Sequence, residues 1–351
     1  MERKDKNELK EQLSKQVKDI GEGFKRSPEQ LEEYLAFAAR FHQYSHHNIV
    51  TIYAQRPFAS FVASASAWHA GLPDKDGKPL SEQPIYVKKG EKAIYILCPV
   101  TVNYYSKDGV TWNNVYQLTD EEKKDLNATP QDWQVKKAVR FKLGPVFDVG
   151  QVNCPKELLP KILGIGVADV PSAQLYRAMC DYSKDTLHIP VTEKDFGSVT
   201  LRGKYMPFSH SIEINSYLGD TQKLSTLIHE LGHSQLHSLS QLTPGVSTTQ
   251  KELEADMYSL MLEKLCGVET TDARKAHLSQ HYNEYIEMQE KLPADKRVTV
   301  DKVFDNVFER YQQSLPGIKA AIDKAAVKAK ELPQAQSQTF KQSSTLKISK
   351  I

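Results

Sequence analysis

The sequence has few cysteines and little net charge. Cys98, Cys154, Cys180 and Cys266 are scattered, with no Cys-x-x-Cys pair. That argues against a disulfide framework and against a zinc ribbon, and reduced thiols in the cytoplasm are the simplest account. The formal charge is only +2, so any nucleic-acid binding has to come from a local patch. No apolar run approaches the roughly 20 residues of a membrane span. The opening Met1-Glu2-Arg3-Lys4-Asp5-Lys6 leads into no apolar core of a secretory signal. Neither membrane insertion nor export is expected. What is present is ordinary for a globular protein: 40% hydrophobic and 26% charged residues in a chain of 351, long enough for two domains plus extensions.

The densest chemistry lies in Ser225-Thr226-Leu227-Ile228-His229-Glu230-Leu231-Gly232-His233-Ser234-Gln235-Leu236-His237, which contains His-Glu-x-x-His with no other charge. Residues four apart share one helix face, about 6 Å apart along the axis. His229 and His233 are thereby spaced to share one tetrahedral Zn²⁺. Glu230 follows the first ligand directly, where it can deprotonate a metal-activated water. A second helix is expected around Lys251-Glu252-Leu253-Glu254-Ala255-Asp256-Met257-Tyr258, with Leu253, Met257, Leu260 and Met261 on an apolar face. Glu252 and Glu254 project about 200° apart, so only one can face the metal. Glu252 is the expected third ligand and Glu254 the reserve. Asp256, one turn after Glu252, is placed to accept the free N–H of a ligand histidine. The turn formers of 241–247 allow the chain to reverse between the helices. His237 reads as a helix-end or surface histidine, since a catalytic zinc keeps its fourth position open. Residues 198–205 and 211–215 read as two strands of a hairpin. Such an edge can take an extended peptide by strand addition, and Tyr205, His210 and Tyr217 are either structural or able to steady a tetrahedral intermediate.

Upstream, Leu9, Leu13, Val17 and Ile20, then Leu31, Tyr34, Leu35, Phe37, Ala38 and Phe41, mark two amphipathic helices in residues 1–47. His46 and His47 are adjacent and point apart, so a metal site there lacks support. Residues 85–97 read as strand, turn, strand. Val139–Lys142 and Val146–Val149 add strand material, and 105–137 reads as a polar surface excursion. Tyr53, Arg56, Trp68, Tyr86, Lys88, Lys89 and Lys92 have the rings and cations of a single-strand nucleic-acid platform. They fit equally a core with a solvated Lys-Lys-Gly-Glu-Lys turn. Downstream, 273–292 and 301–332 look helical, and the polar segment from Gln334 onward reads as disordered.

Four short segments occur in order: Tyr44-Ser45-x-x-Asn48, Tyr53-Ala54-Gln55-Arg56-Pro57, Val87-Lys88-Lys89-Gly90-Glu91-Lys92 and Val146-Phe147-Asp148-Val149. Together, over about 30–152, they resemble the N-terminal domain of ArdC-type antirestriction proteins and the LtrC-like proteins of conjugative elements. The stretch 170–268 resembles the zincin-like domain of the same proteins and of the ImmA/IrrE metallopeptidases. In those families the ligand Glu is followed by Ala three residues on and an acidic or amide residue four on, as in Glu252, Ala255 and Asp256. The resemblance implies an α+β fold: an N-terminal α+β ssDNA-binding domain (1–155) followed by a zincin-like α+β metallopeptidase domain (156–292). A helical C-terminal extension (293–332) and a disordered tail (333–351) complete the expected order. It implies single-stranded DNA as partner, with Asn48, Tyr53, Arg56, Trp68, Lys88, Lys89 and Lys92 as contacts, and Zn²⁺ on His229, His233 and Glu252 with Glu230 catalytic. Two alternatives stand beside this. One is a non-enzymatic ssDNA-protecting protein with a structural zinc. The other is an ImmA-like peptidase that cuts one protein regulator.

Overall fold

Ser27 and Pro28 separate the first two helices. Ser27 accepts the Gln30 N–H at the N-cap, and Pro28, which has no N–H to satisfy, opens the next turn. The computed structural model describes residues 3–74, 76–163, 170–198, 200–240 and 246–331. The expected tail, with residue 332 and part of the 241–247 turn, lies outside them. In chain order the elements are α1 (Arg3–Arg26), α2 (Pro28–Arg40), α3 (His46–Gln55), β1 (Val62–Ala63), α4 (Ala65–His69), β2 (Ile94–Ser106), β3 (Asn113–Asn114), α5 (Asp120–Ala128), β4 (Gln134–Asp148) and α6 (Leu159–Leu163). There follow α7 (Ser172–Asp185), β5 (Val191–Lys194), β6 (Gly203–Met206), β7 (Ser211–Asn215), α8 (Asp220–Leu236), α9 (Thr248–Leu265), α10 (Asp272–Glu290) and α11 (Val300–Glu331). The fold is mixed helix and sheet with a C-terminal helical stretch, as expected.

The chain divides into two compact units. One takes Thr51–Leu159 with the chain up to Val17, and the other takes Lys18–Val50 with everything from Pro160. Residues 18–50, read from the sequence as part of the first domain, therefore group with the second unit.

The first unit is built on an antiparallel sheet of order β1-β4-β2-β3. β2 and β4 pair from Ile94↔Val146 to Ser106↔Gln134. One long ribbon thus replaces the short hairpin expected at 85–97. Val87 makes only an isolated bridge to Val152, and Val139–Lys142 and Val146–Phe147 belong to a single strand. The excursion between the strands is shorter than 105–137, because Tyr105 and 134–137 are in the ladder.

The second unit centres on α9, buried without interruption from Leu253 to Glu263. It packs against α2, α8, α10 and α11. Leu31, Tyr34, Leu35 and Phe37 of α2 and Phe304, Phe308 and Tyr311 of α11 are fully buried. The sheet order is β5-β7-β6, with β5 parallel and β6 antiparallel to β7, which leaves β6 at an edge. Ile212 and Ile214 of β7 and Leu224, Leu227 and Ile228 of α8 are likewise sealed from water. Two glycines set close approaches. A Cβ on Gly203 would stand 2.6 Å from Thr226 Cγ2, and one on Gly232 would stand 3.2 Å from the Ala255 carbonyl oxygen. The first brings β6 onto α8, and the second brings α8 onto α9. No helix among the described residues is long and apolar enough to cross a membrane.

Candidate metal centre

α8 carries His229, Glu230 and His233, and α9 carries Glu252, Glu254 and Asp256. The close approach at Gly232 aligns the two helices so that three donors converge. His229 Nε2 and His233 Nε2 are 3.1 Å apart, and Glu252 Oε2 lies 3.6 and 3.5 Å from them. A tetrahedral ion with ligands at about 2.0–2.1 Å has donor–donor edges of about 3.3 Å. The triangle fits that figure. Without an ion, two imidazole nitrogens at this distance share at most one proton. The donor set, two imidazoles and one carboxylate, suits a divalent cation.

Each histidine is oriented from behind, through a different carboxylate of α9. His229 Nδ1 lies at ion-pair distance, 3.3 Å, from Asp256 Oδ1, an oxygen that makes no hydrogen bond among the described residues. His233 Nδ1 lies 3.2 Å from His237 Nδ1, and His237 Nε2 lies 2.8 Å from Glu254 Oε2. If His237 gives its Nε2 proton to Glu254, its Nδ1 is free to accept from His233 Nδ1–H. Both histidines could then present a bare Nε2 to a shared cation. Glu254 Oε1 accepts from Gln250 and Asn306 at 3.0 and 3.3 Å. Glu254, the reserve ligand, thus faces away from the donor triangle. His237 is buried rather than on the surface.

The ionisation of these groups follows from burial and pairing. Burial alone would depress His229, but Asp256 and Glu252 outweigh it and hold the imidazole at about 9. Hydrogen bonding to His229 and then His233 holds Glu252 far below the usual carboxylate range. Burial opposes the charge of Asp256, yet His229, His277 and His281 together keep it ionised. Burial lowers His237, against the pull of Glu254, which favours the neutral ring that the relay needs.

Sequence reasoning missed the groups around Asp256. His277 Nδ1 and His281 Nδ1 lie 2.9 and 3.0 Å from its Oδ2. Arg274 Nη2 lies 3.3 Å from His229 Nδ1 and donates to Ser259 Oγ. Glu263, buried, accepts from Ser225 at 2.5 Å. The i, i+4 pair His277 and His281 on the next helix was the available signal.

Glu230 is buried, and its Oε2 accepts the backbone N–H of Tyr205 on β6 at 2.7 Å. The triad and Glu230 line a cleft of about 1020 Å³, so one side of the donor triangle is open. Tyr205 Oη and His210 Nδ1 are 2.7 Å apart. Tyr217 bonds Asp195 at 2.8 Å.

The expected DNA contacts are not assembled into one surface. Trp68 is fully buried and donates Nε1–H to the Phe147 carbonyl at 2.9 Å. It is a core ring, so its assignment as a stacking platform is corrected. Asn48 is also buried, in α3, and falls in the second unit. Tyr53 is half-buried in the same helix. Arg56 Nε lies 3.7 Å from Asp148 Oδ2, and Lys88 Nζ donates to the Gly150 carbonyl at 2.9 Å. Lys89 and Lys92 are exposed.

Comparison with known proteins adds to this geometry. Residues 184–265, which contain all three donors and Glu230, match the model of the IrrE N-terminal-like domain, a peptidase family. A Bacillus anthracis protein, the uncharacterized pXO2-81, is 27% identical over 84% of this chain. The chain spans about half (50%) of that relative's length. Two crystal structures of the antirestriction protein ArdC from the R388 plasmid are also similar. The metal-free form has a TM-score of 0.43, 16% identity, and covers 81% of this chain and 86% of that one. The Mn(II)-bound form has a TM-score of 0.44, 14% identity, and covers 80% and 85%. Of the families named by the sequence resemblance, these comparisons return ArdC and the IrrE-like domain.

Proposed function

We propose that this chain is an ArdC-type protein of a mobile element, in which the second unit is a zinc-dependent peptidase and the first binds single-stranded DNA. The observation that carries the peptidase reading is the open donor triangle of His229, His233 and Glu252, with Glu230 beside it in the cleft. The family match over 184–265 supports it. A zinc ion held by those three residues would supply Lewis acidity, polarising a carbonyl and acidifying a water.

The protein's own groups do the rest. The Tyr205 N–H fixes one oxygen of Glu230 and leaves the other to accept a proton from the attacking water and return it to the leaving amine. Asp256 and the His237–Glu254 pair hold the ligand tautomers. β6, an edge strand bordering the cleft, offers backbone groups to an extended peptide, so a protein is the expected substrate. On this reading the protein acts in the cytoplasm, on the entering strand and on a protein regulator. The Glu230 carboxylate in an open cleft favours a catalytic over a purely structural ion.

The test uses the full chain. Zinc should copurify at one equivalent, and a fluorogenic peptide library should be cleaved. Glu230→Gln should keep the metal and lower turnover by roughly 10²–10⁴-fold. Undiminished cleavage by Glu230→Gln rules out this mechanism.

A further inference from the structure

The β2–β4 ribbon carries cations that nothing in the fold uses. β4 contains Lys136, Lys137, Arg140 and Lys142, and neither strand has an acidic residue from Ile94 to Phe147. None of the four makes an ion pair with an acidic side chain among the described residues. Arg140 instead donates Nε–H to Tyr104 Oη at 3.0 Å, with its guanidinium 5.5 Å from the ring centroid.

Strand alternation sorts these residues. Lys136, Arg140 and Lys142 share one face with Tyr104, Val102 and Val100, because directly paired residues lie on the same side of the ladder. At about 6.7 Å per two residues, the three cations run along about 20 Å of that face. The opposite face carries Lys137 with Val135, Val139 and Phe141, which are 53%, 60% and 60% exposed. Exposed apolar side chains among unpaired cations are costly to leave in water, and mark a surface made to be covered.

We infer that the β2–β4 ribbon is the surface on which this protein holds single-stranded nucleic acid, its phosphates along Lys136, Arg140 and Lys142 and its bases against Tyr104 on the same face. The inference rests on the proposed single-strand binding and moves it away from Trp68 and Asn48. Charge selects the occupant: a row of cations without acids fits a polyanion. The half-exposed Tyr104 ring on that face suits an unstacked base, which a duplex keeps inside.

The experiment is fluorescence anisotropy of the full chain with a labelled mixed-sequence 20-mer, single-stranded or duplex, across a salt series. For the single strand, K136A/R140A/K142A should reduce the slope of log K against log salt by about 2, at about 0.7 per phosphate lost. Y104A should weaken binding roughly tenfold, whereas F141A, on the opposite face, should bind like the parent. The charge-keeping K136R/R140K/K142R should bind like the parent, and far-UV circular dichroism and melting should match for all variants. An unchanged slope in the triple alanine variant overturns the ribbon assignment while leaving single-strand binding standing. Equal or tighter binding of the duplex overturns the choice of a single strand. If the parent binds neither DNA, it is the underlying single-strand reading that fails.

Discussion

The α8–α9 pair and the β2–β4 ribbon treat charge in opposite ways. Around the donor triangle the ionisable groups of the helix pair are buried or half-buried, and those described above have named partners: His229 with Asp256, His237 with Glu254, Glu263 with Ser225. In the ribbon the cations stand in solvent facing no acid. Burial explains the contrast, because an unpaired charge out of water costs several kcal/mol whereas one in water costs little. A buried site therefore declares its chemistry through the partners it keeps. A surface site declares it through the partners it lacks.

The comparison can be broken first at the triangle. His229→Ala should lower zinc affinity on the order of a thousandfold, since structural zinc is worth about 10–16 kcal/mol shared among its ligands; competition with a chromogenic chelator measures it. Asp256→Asn and Glu254→Gln, which leave all three donors in place, should each cost about 10–100-fold in the same assay. Equal affinity in both would mean that the carboxylates behind the histidines do not orient them. Zinc affinity should rise with pH, by up to about tenfold per unit, and level off near pH 9, where the metal-free His229 loses its proton. The same shift gives the metal-free fold a stabilising contribution that is full below the ordinary histidine value of 6.5 and is lost as pH rises through about 9. Urea melts of chelated protein at pH 6 and 9.5 test that sign. Gly232→Ala should destabilise the fold by about 1–3 kcal/mol, because the added methyl meets the backbone of Ala255. At the other extreme, Phe141→Ser on the ribbon should change stability by no more than about 0.5 kcal/mol.

The sequence made the donor set legible because helical periodicity fixes which side chains share a face, and His229, His233 and Glu252 meet as that spacing implies. It also exposed Asp256. It could not reveal Glu254 and His237, because their pairing depends on the distance between two helices and on Gln250 and Asn306, the latter from α11. His277 and His281 were missed for the same reason. The ribbon was misread because β2 from Ile94 to Val100 is apolar or aromatic on both faces, so the alternation that signals a half-buried strand is weak there. The segment Val146-Phe147-Asp148-Val149 has a structural role in this chain. Asp148 accepts the N–H groups of Ser60, Phe61 and Gly150 and ties β1 to β4. Trp68 seals the same junction, which is why an aromatic with the right chemistry for stacking is out of reach.

Contact between the Gly232 and Ala255 backbones has a consequence for ion choice. The span between the two ligand helices is set by main-chain atoms that cannot give way, so an incoming ion must suit the gap it finds. On the proposed reading, an ion content with four short bonds would enter without moving either helix. Calcium, which needs six to eight oxygens at about 2.3–2.6 Å, would meet two nitrogens and one carboxylate in a gap that the main chain keeps narrow, so backbone and side chains would discriminate against it together.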